Sequence, residues 1–109
     1  MTPAAAAALI RSHFDESAHV GLVLPDGWSG RPYDNMSTLD AVIGEGDELS
    51  ISLDTDNRIL IRGDVSTSID DAALTISGFS ELIWSWRPSG SVEKREQIYA
   101  SGEMRLVRL

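Results

Sequence analysis

The sequence predicts a mainly β fold: an antiparallel meander of about six to eight strands forming a small sandwich or barrel, with an N-terminal α-helix. From Val20 onward, apolar residues recur at every second position, the period of a strand with one buried face. The segments between these runs are short and rich in Gly and Asp, as in GEGD, DTDN, RGD and IDDA. Nothing between the runs is long and periodic enough to serve as the crossover helix that parallel strands need.

Taken in order, Thr2 and Pro3 form a helix start, a hydroxyl cap followed by a ring whose fixed φ suits the first turn. The alanine run propagates well, and Leu9, Ile10, His13 and Phe14 share one face, which predicts a helix from Pro3 to Glu16 docked on a sheet face or barrel end. VGLVL then reads as a strand ended by Pro25. TLDAVIG sets Leu39, Ala41 and Ile43 against polar neighbours. LSISLD alternates most strictly, with Leu49, Ile51 and Leu53 expected inward and Ser50 and Ser52 exposed. RILIRG, VSTSI, ALTISGF, ELIWSWR and IYASGEMRLVRL complete the strands, and SVEKREQ is expected to add one helical turn before the last.

The chain has 109 residues, consistent with a single domain over 1–109. Apolar residues make up 42% and charged residues 24%, ordinary globular usage that argues against wholesale disorder. The formal charge is −8, which opposes phosphate backbones and anionic headgroups, so neither a nucleic acid nor a membrane is an expected partner. That charge is uneven. Residues 26–71 hold eleven acids and three bases, whereas residues 87–109 hold three acids and five bases. Turn chemistry favours Asp and is the expected reason for this middle bias, the alternative being a functional acidic patch. No stretch reaches the ~20 apolar residues of a membrane span, AAAAALI lacks a positive leader segment, and a cytoplasmic location is the default expectation.

With no cysteine, disulfides, thiolate metal sites and cysteine nucleophiles are excluded. No cofactor or metal is expected. DTDNRI begins like a calcium loop but puts Ile59 at the glycine position and Val65 at the closing carboxylate position. The two histidines, His13 and His19, have no spaced carboxylate for metal binding and no nucleophile elbow to serve. RGD at 62–64 and NMS at 35–37 are short enough to arise by chance.

PDGWSGRPYDN, residues 25 to 35, is the unusual segment. It is roughly twice the usual ~4–6 residues of a connection and is stiffened by Pro25, Gly27, Gly30 and Pro32. It presents Trp28, Arg31, Tyr33, Asp34 and Asn35, side chains typical of binding hot spots, although Trp28 and Tyr33 would serve equally to plug the end of a small barrel. With the preceding Leu24, this stretch resembles a motif of small bacterial proteins of similar length, mostly from high-GC organisms of actinobacterial type, which often carry an aromatic where this chain has Ser29. The resemblance implies a family signature and brings no activity with it.

Trp84 and Trp86 share a strand face with Leu82 and are expected to be core, the alternative being a stacking surface for sugars or bases. The function expected is a non-catalytic protein-interaction module. The alternatives are a binder of a small, sugar-like polar ligand using the 25–35 loop, and a hydrolase with Asp26, Asp34 or His19 as acid and base.

Overall fold

The computed structural model describes residues 1–28, 36–54, 56–87 and 92–109, with the main chain only at Trp28. The helix, α1 (Pro3–His13), starts as its cap dictates: Thr2 Oγ1 accepts the Ala5 N–H at 3.2 Å. It ends three residues short of Glu16. Phe14 turns into extended backbone and buries its ring in the core, while its N–H closes the last helical bond on the Ile10 carbonyl. The end is held from outside as well. Arg108 Nη2 donates to the His13 carbonyl at 2.8 Å, and its guanidinium lies over the Phe14 ring.

Among the described residues ten strands follow: β1 (His19–Leu24), β2 (Gly27–Trp28), β3 (Met36–Glu45), β4 (Glu48–Leu53), β5 (Asn57–Arg62), β6 (Ser66–Ile69), β7 (Ala73–Ser77), β8 (Glu81–Trp86), β9 (Arg95–Tyr99) and β10 (Glu103–Arg108). Val92–Lys94 carry no helical turn; β9 begins directly after them. Every pairing is antiparallel, in the order β6-β7-β10-β1-β3-β4-β5-β8-β9, with the short β2 against β1. The strands thus form one open sheet. β3, β4 and β5 form a meander, while β10 returns between β7 and β1, and β8 beside β5.

The long strand β3 joins the two halves. Its first residues, Met36–Thr38, pair with β1, and from Leu39 it pairs with β4. Between Leu39 and Ala41 the register shifts, a bulge that reverses the facing of the residues beyond it. The alternation expected for Leu39, Ala41 and Ile43 therefore breaks. Leu39 and Val42 are buried, and Ile43 is 56% exposed. Both halves then face a single core. Leu22, Leu106 and Leu74 form one fully buried row across β1, β10 and β7, while Leu49, Ile61 and Leu82 form another across β4, β5 and β8.

Leu49, Ile51 and Leu53 are completely buried, as their alternation requires, but Ser50 and Ser52 are half-buried rather than exposed. Long neighbours explain the difference: Ser50 lies between Ile43 and Leu60, and Arg58 Nε donates to its hydroxyl at 3.1 Å. Leu53 and Asn57 close the β4–β5 ladder. Asp54 takes the left-handed conformation (φ 53) and exchanges two bonds with Thr38 on β3, each 2.9 Å.

The alanines of α1 have a packing purpose. Ala6 and Ala7 are fully buried, and the helix start lies against Gly44 so closely that a Cβ there would sit 2.0 Å from the Pro3 carbonyl oxygen. Among the described residues, β3 beyond Asp40 pairs with β4 alone, and α1 lies beside it, with Arg11 Nη1 donating to the Val42 carbonyl at 2.6 Å. We expect Gly44→Ala to cost about 1–3 kcal/mol by overpacking and Ile51→Ala about 2–5 kcal/mol by leaving a cavity, both read from chemical denaturation. A Gly44→Ala loss below about 0.5 kcal/mol would show that the helix does not rest on β3.

Candidate functional site

The 25–35 segment begins with a clamped turn. Pro25 lies against Gly102, where an added Cβ would come within 2.9 Å of the proline ring, and Gly102 has φ 113, a conformation that L side chains rarely adopt. Asp26 then reaches β9: its carboxylate accepts the Tyr99 hydroxyl at 2.9 Å and the Gln97 amide at 3.3 Å. The start of the loop is thereby tied to the sheet's edge strand. Arg31, Tyr33, Asp34 and Asn35 lie outside the described residues, and so does the Trp28 side chain; the Trp28 main chain pairs with Val23.

The clamp adjoins an aromatic corner. Along the inner face of β8 run Leu82, Trp84 and Trp86; opposite them on β9 stand Tyr99, Gln97 and Arg95. Leu82 is core, but the two tryptophans are half-buried, so the expectation of core positions for both is corrected. Trp84 and Tyr99 pack against the core from its margin. β8 has only the edge strand β9 beyond it, and this leaves the rings at the rim. The indoles stack, with centroids 4.0 Å apart and planes 16° from parallel. Trp84 Nε1 donates to Asn57 Oδ1 at 2.6 Å. Tyr99 holds its proton more tightly than usual, pushed up to about 12 by desolvation first and then by its bond to the Asp26 carboxylate and that group's charge.

A second surface lies on the outer face of β3, β4, β5, β8 and β9. The register sets Ile43, Ser50, Leu60, Ile83 and Ile98 side by side, a row roughly 19 Å long at the usual strand spacing. Ile43 and Ile98 are 56% and 59% exposed. On one side run Glu45, Glu48, Arg62 and Glu81, with Arg62 bridging Glu48 at 3.5 Å and Glu81 at 3.3 Å; on the other run Ala41, Ser52, Arg58, Ser85 and Glu96. Ser50, the small member of the row, leaves a hollow of about 250 Å³ walled by Ile43, Glu45, Glu48 and Arg58. At the β3 end, a groove of about 420 Å³ opens between α1 and the bulge, edged by Asp15, Glu16 and Asp40.

His19 and Asp26 stand at opposite ends of β1, roughly 20 Å apart at the usual rise per residue, and share no substrate position as acid and base. Among the described residues, no group of three metal-ligating side chains comes together and no helix is long and apolar enough to cross a membrane. Comparison with protein-family models, with curated proteins and with solved structures finds no match.

The outer row had a signal in the sequence. RILIR and ELIWSW carry consecutive apolar residues, and a strand with Leu60 between Ile59 and Ile61 is apolar on both faces. The partners of Asp26 had none, since Gln97 and Tyr99 lie more than seventy positions away in the chain. In a Tyr33→Phe background, an ultraviolet titration of Tyr99 is expected to show a midpoint near 12. Its raised value favours folding below the unfolded pKa of about 10, and that contribution is lost as pH climbs from there through the folded midpoint. Asp26→Asn removes the bond to the carboxylate and its charge but leaves the desolvation, so the midpoint should fall without reaching the free value. An unchanged midpoint would place Tyr99 away from Asp26.

Proposed function

We propose that this protein is a non-catalytic interaction module that docks a protein partner on its outer sheet face. The observation that carries this reading is the Ile43–Ile98 row, in which Ile43, Leu60, Ile83 and Ile98 supply apolar side chains on four of five adjacent strands, interrupted at β4 by the small Ser50 and rimmed by charge. An apolar centre with a polar rim is the anatomy of a protein interface. The rim is predominantly acidic, with Glu45, Glu48, Glu81 and Glu96 beside Arg58 and Arg62, and with Asp15, Glu16 and Asp40 beside Arg11 at the groove. The fitting partner presents aliphatic side chains flanked by lysine or arginine. The net charge of −8 opposes a nucleic-acid or anionic-membrane partner.

Peptides selected from a displayed library on the immobilised protein should combine aliphatic residues with basic flanks. The exposed pair Ile43→Ser and Ile98→Asp should weaken them about tenfold or more while leaving stability within about 0.5 kcal/mol at each site. Selection of acidic peptides, or undiminished binding to the double variant, would contradict the proposal.

A further inference from the structure

The stacked tryptophans are on the other face of the sheet and form a separate surface. Trp84 is fixed twice, by packing against the core and by Asn57 on its indole nitrogen. Trp86, partly exposed, lies nearly parallel to it, so the pair forms one flat plate, and the ring face considered for a ligand is the one that Trp86 turns away from Trp84. A plate ordered by folding demands no further ordering when a ligand lands on it. Around it the register supplies planar polar groups. Asn57 lies opposite Trp86 on β5, Arg95 lies opposite it on β9, and Gln97 lies opposite Trp84. Asn57 spends its Oδ1 on Trp84, which leaves its amide N–H groups to donate. Gln97 donates to Asp26, which leaves its Oε1 to accept.

A flat apolar face edged by amide donors and acceptors suits a ring whose own faces are C–H and whose rim is hydroxyl. The negative face of an indole attracts weakly positive C–H groups, and the rim hydroxyls then meet the amides and the guanidinium. Two other ring-stacking ligand classes fit less well. A nucleotide would bring phosphate to a chain of charge −8, where Asp26 and Asp56 offset the attraction of Arg95 and Arg87. A quaternary ammonium needs aromatic walls on several sides, whereas these rings are parallel and have Arg95 and Arg87 nearby. We propose that the β8–β9 corner binds a neutral pyranose sugar, with Trp86 as the platform, Asn57, Gln97 and Arg95 as hydroxyl partners and Trp84 as a positioning residue.

The test is a titration of the isotopically labelled protein with neutral cello-, malto-, xylo- and chito-oligosaccharides, and in parallel with a glucuronic-acid oligosaccharide, AMP and choline. The signals to follow are the Trp84 and Trp86 indole N–H and the Asn57 side-chain amide. A neutral sugar should shift these signals saturably. Trp86→Ala should weaken that sugar about tenfold or more, Trp86→Phe, which keeps a flat face, should retain most of the affinity, and Asn57→Ser should weaken it. Absence of any saturable shift with every neutral sugar would overturn the proposal. So would equal binding of AMP or choline, or an affinity indifferent to Trp86→Ala. If Trp86→Ala unfolds, the decision rests on Trp86→Phe and Asn57→Ser: loss in the first, or none in the second, overturns it.

Discussion

The bulge between Leu39 and Ala41 decides which way the side chains of β3 face, and much of the molecule follows from that choice. A strand of uniform register running from Met36 to Glu45 would send Ile43 to the core and Val42 to water. β3 passes from β1 to β4 at Leu39, and the extra residue just beyond reverses the facing, turning Val42 and Gly44 inward. Gly44 inward is what allows α1 to approach, because any larger residue would meet the Pro3 backbone. Ile43 outward begins the apolar row that ends at Ile98. A single irregularity thus links the helix docking site to the proposed interface, through the period-two geometry of the strand.

The opposite corner depends on a different constraint. Pro25 against Gly102 and Asp26 on Tyr99 join the first hairpin to the turn between the last two strands. The edge strand β9 would otherwise be held by β8 alone, since a sheet edge has pairing on one side only. Holding β9 also holds the wall beside Trp84 and Trp86, so the stiff loop start and the aromatic corner form one mechanical unit. The two proposed surfaces lie on opposite faces of β8 and β9 and could be occupied together.

Strand existence was legible because burial of one face imposes a period that LSISLD, ALTIS and EMRLV display openly. The end of α1 was not legible: periodicity carries Phe14 onto the helix face, whereas its burial is achieved from extended backbone. The bulge was hidden for a similar reason. In TLDAVIG either Ala41 and Ile43 or Val42 can continue an apolar face, and only the competition with β4 and α1 selects Val42. Tryptophans two apart on a strand suggested core, because sequence gives no distance to a sheet edge. Strand order was beyond reach, since the return of β10 between β7 and β1 is a long-range pairing with no local mark.

The facing of β3 can be measured directly, because the chain contains no cysteine. Val42→Cys and Ile43→Cys, made singly, place one thiol on each side of the strand two residues past the bulge. Thiol-alkylation rates under native conditions should be fast at position 43, approaching the rate in denaturant, and strongly suppressed at position 42. Rapid labelling at 42 with protection at 43 would show that β3 runs without the bulge, and the helix seat and the outer apolar row would both fall with it.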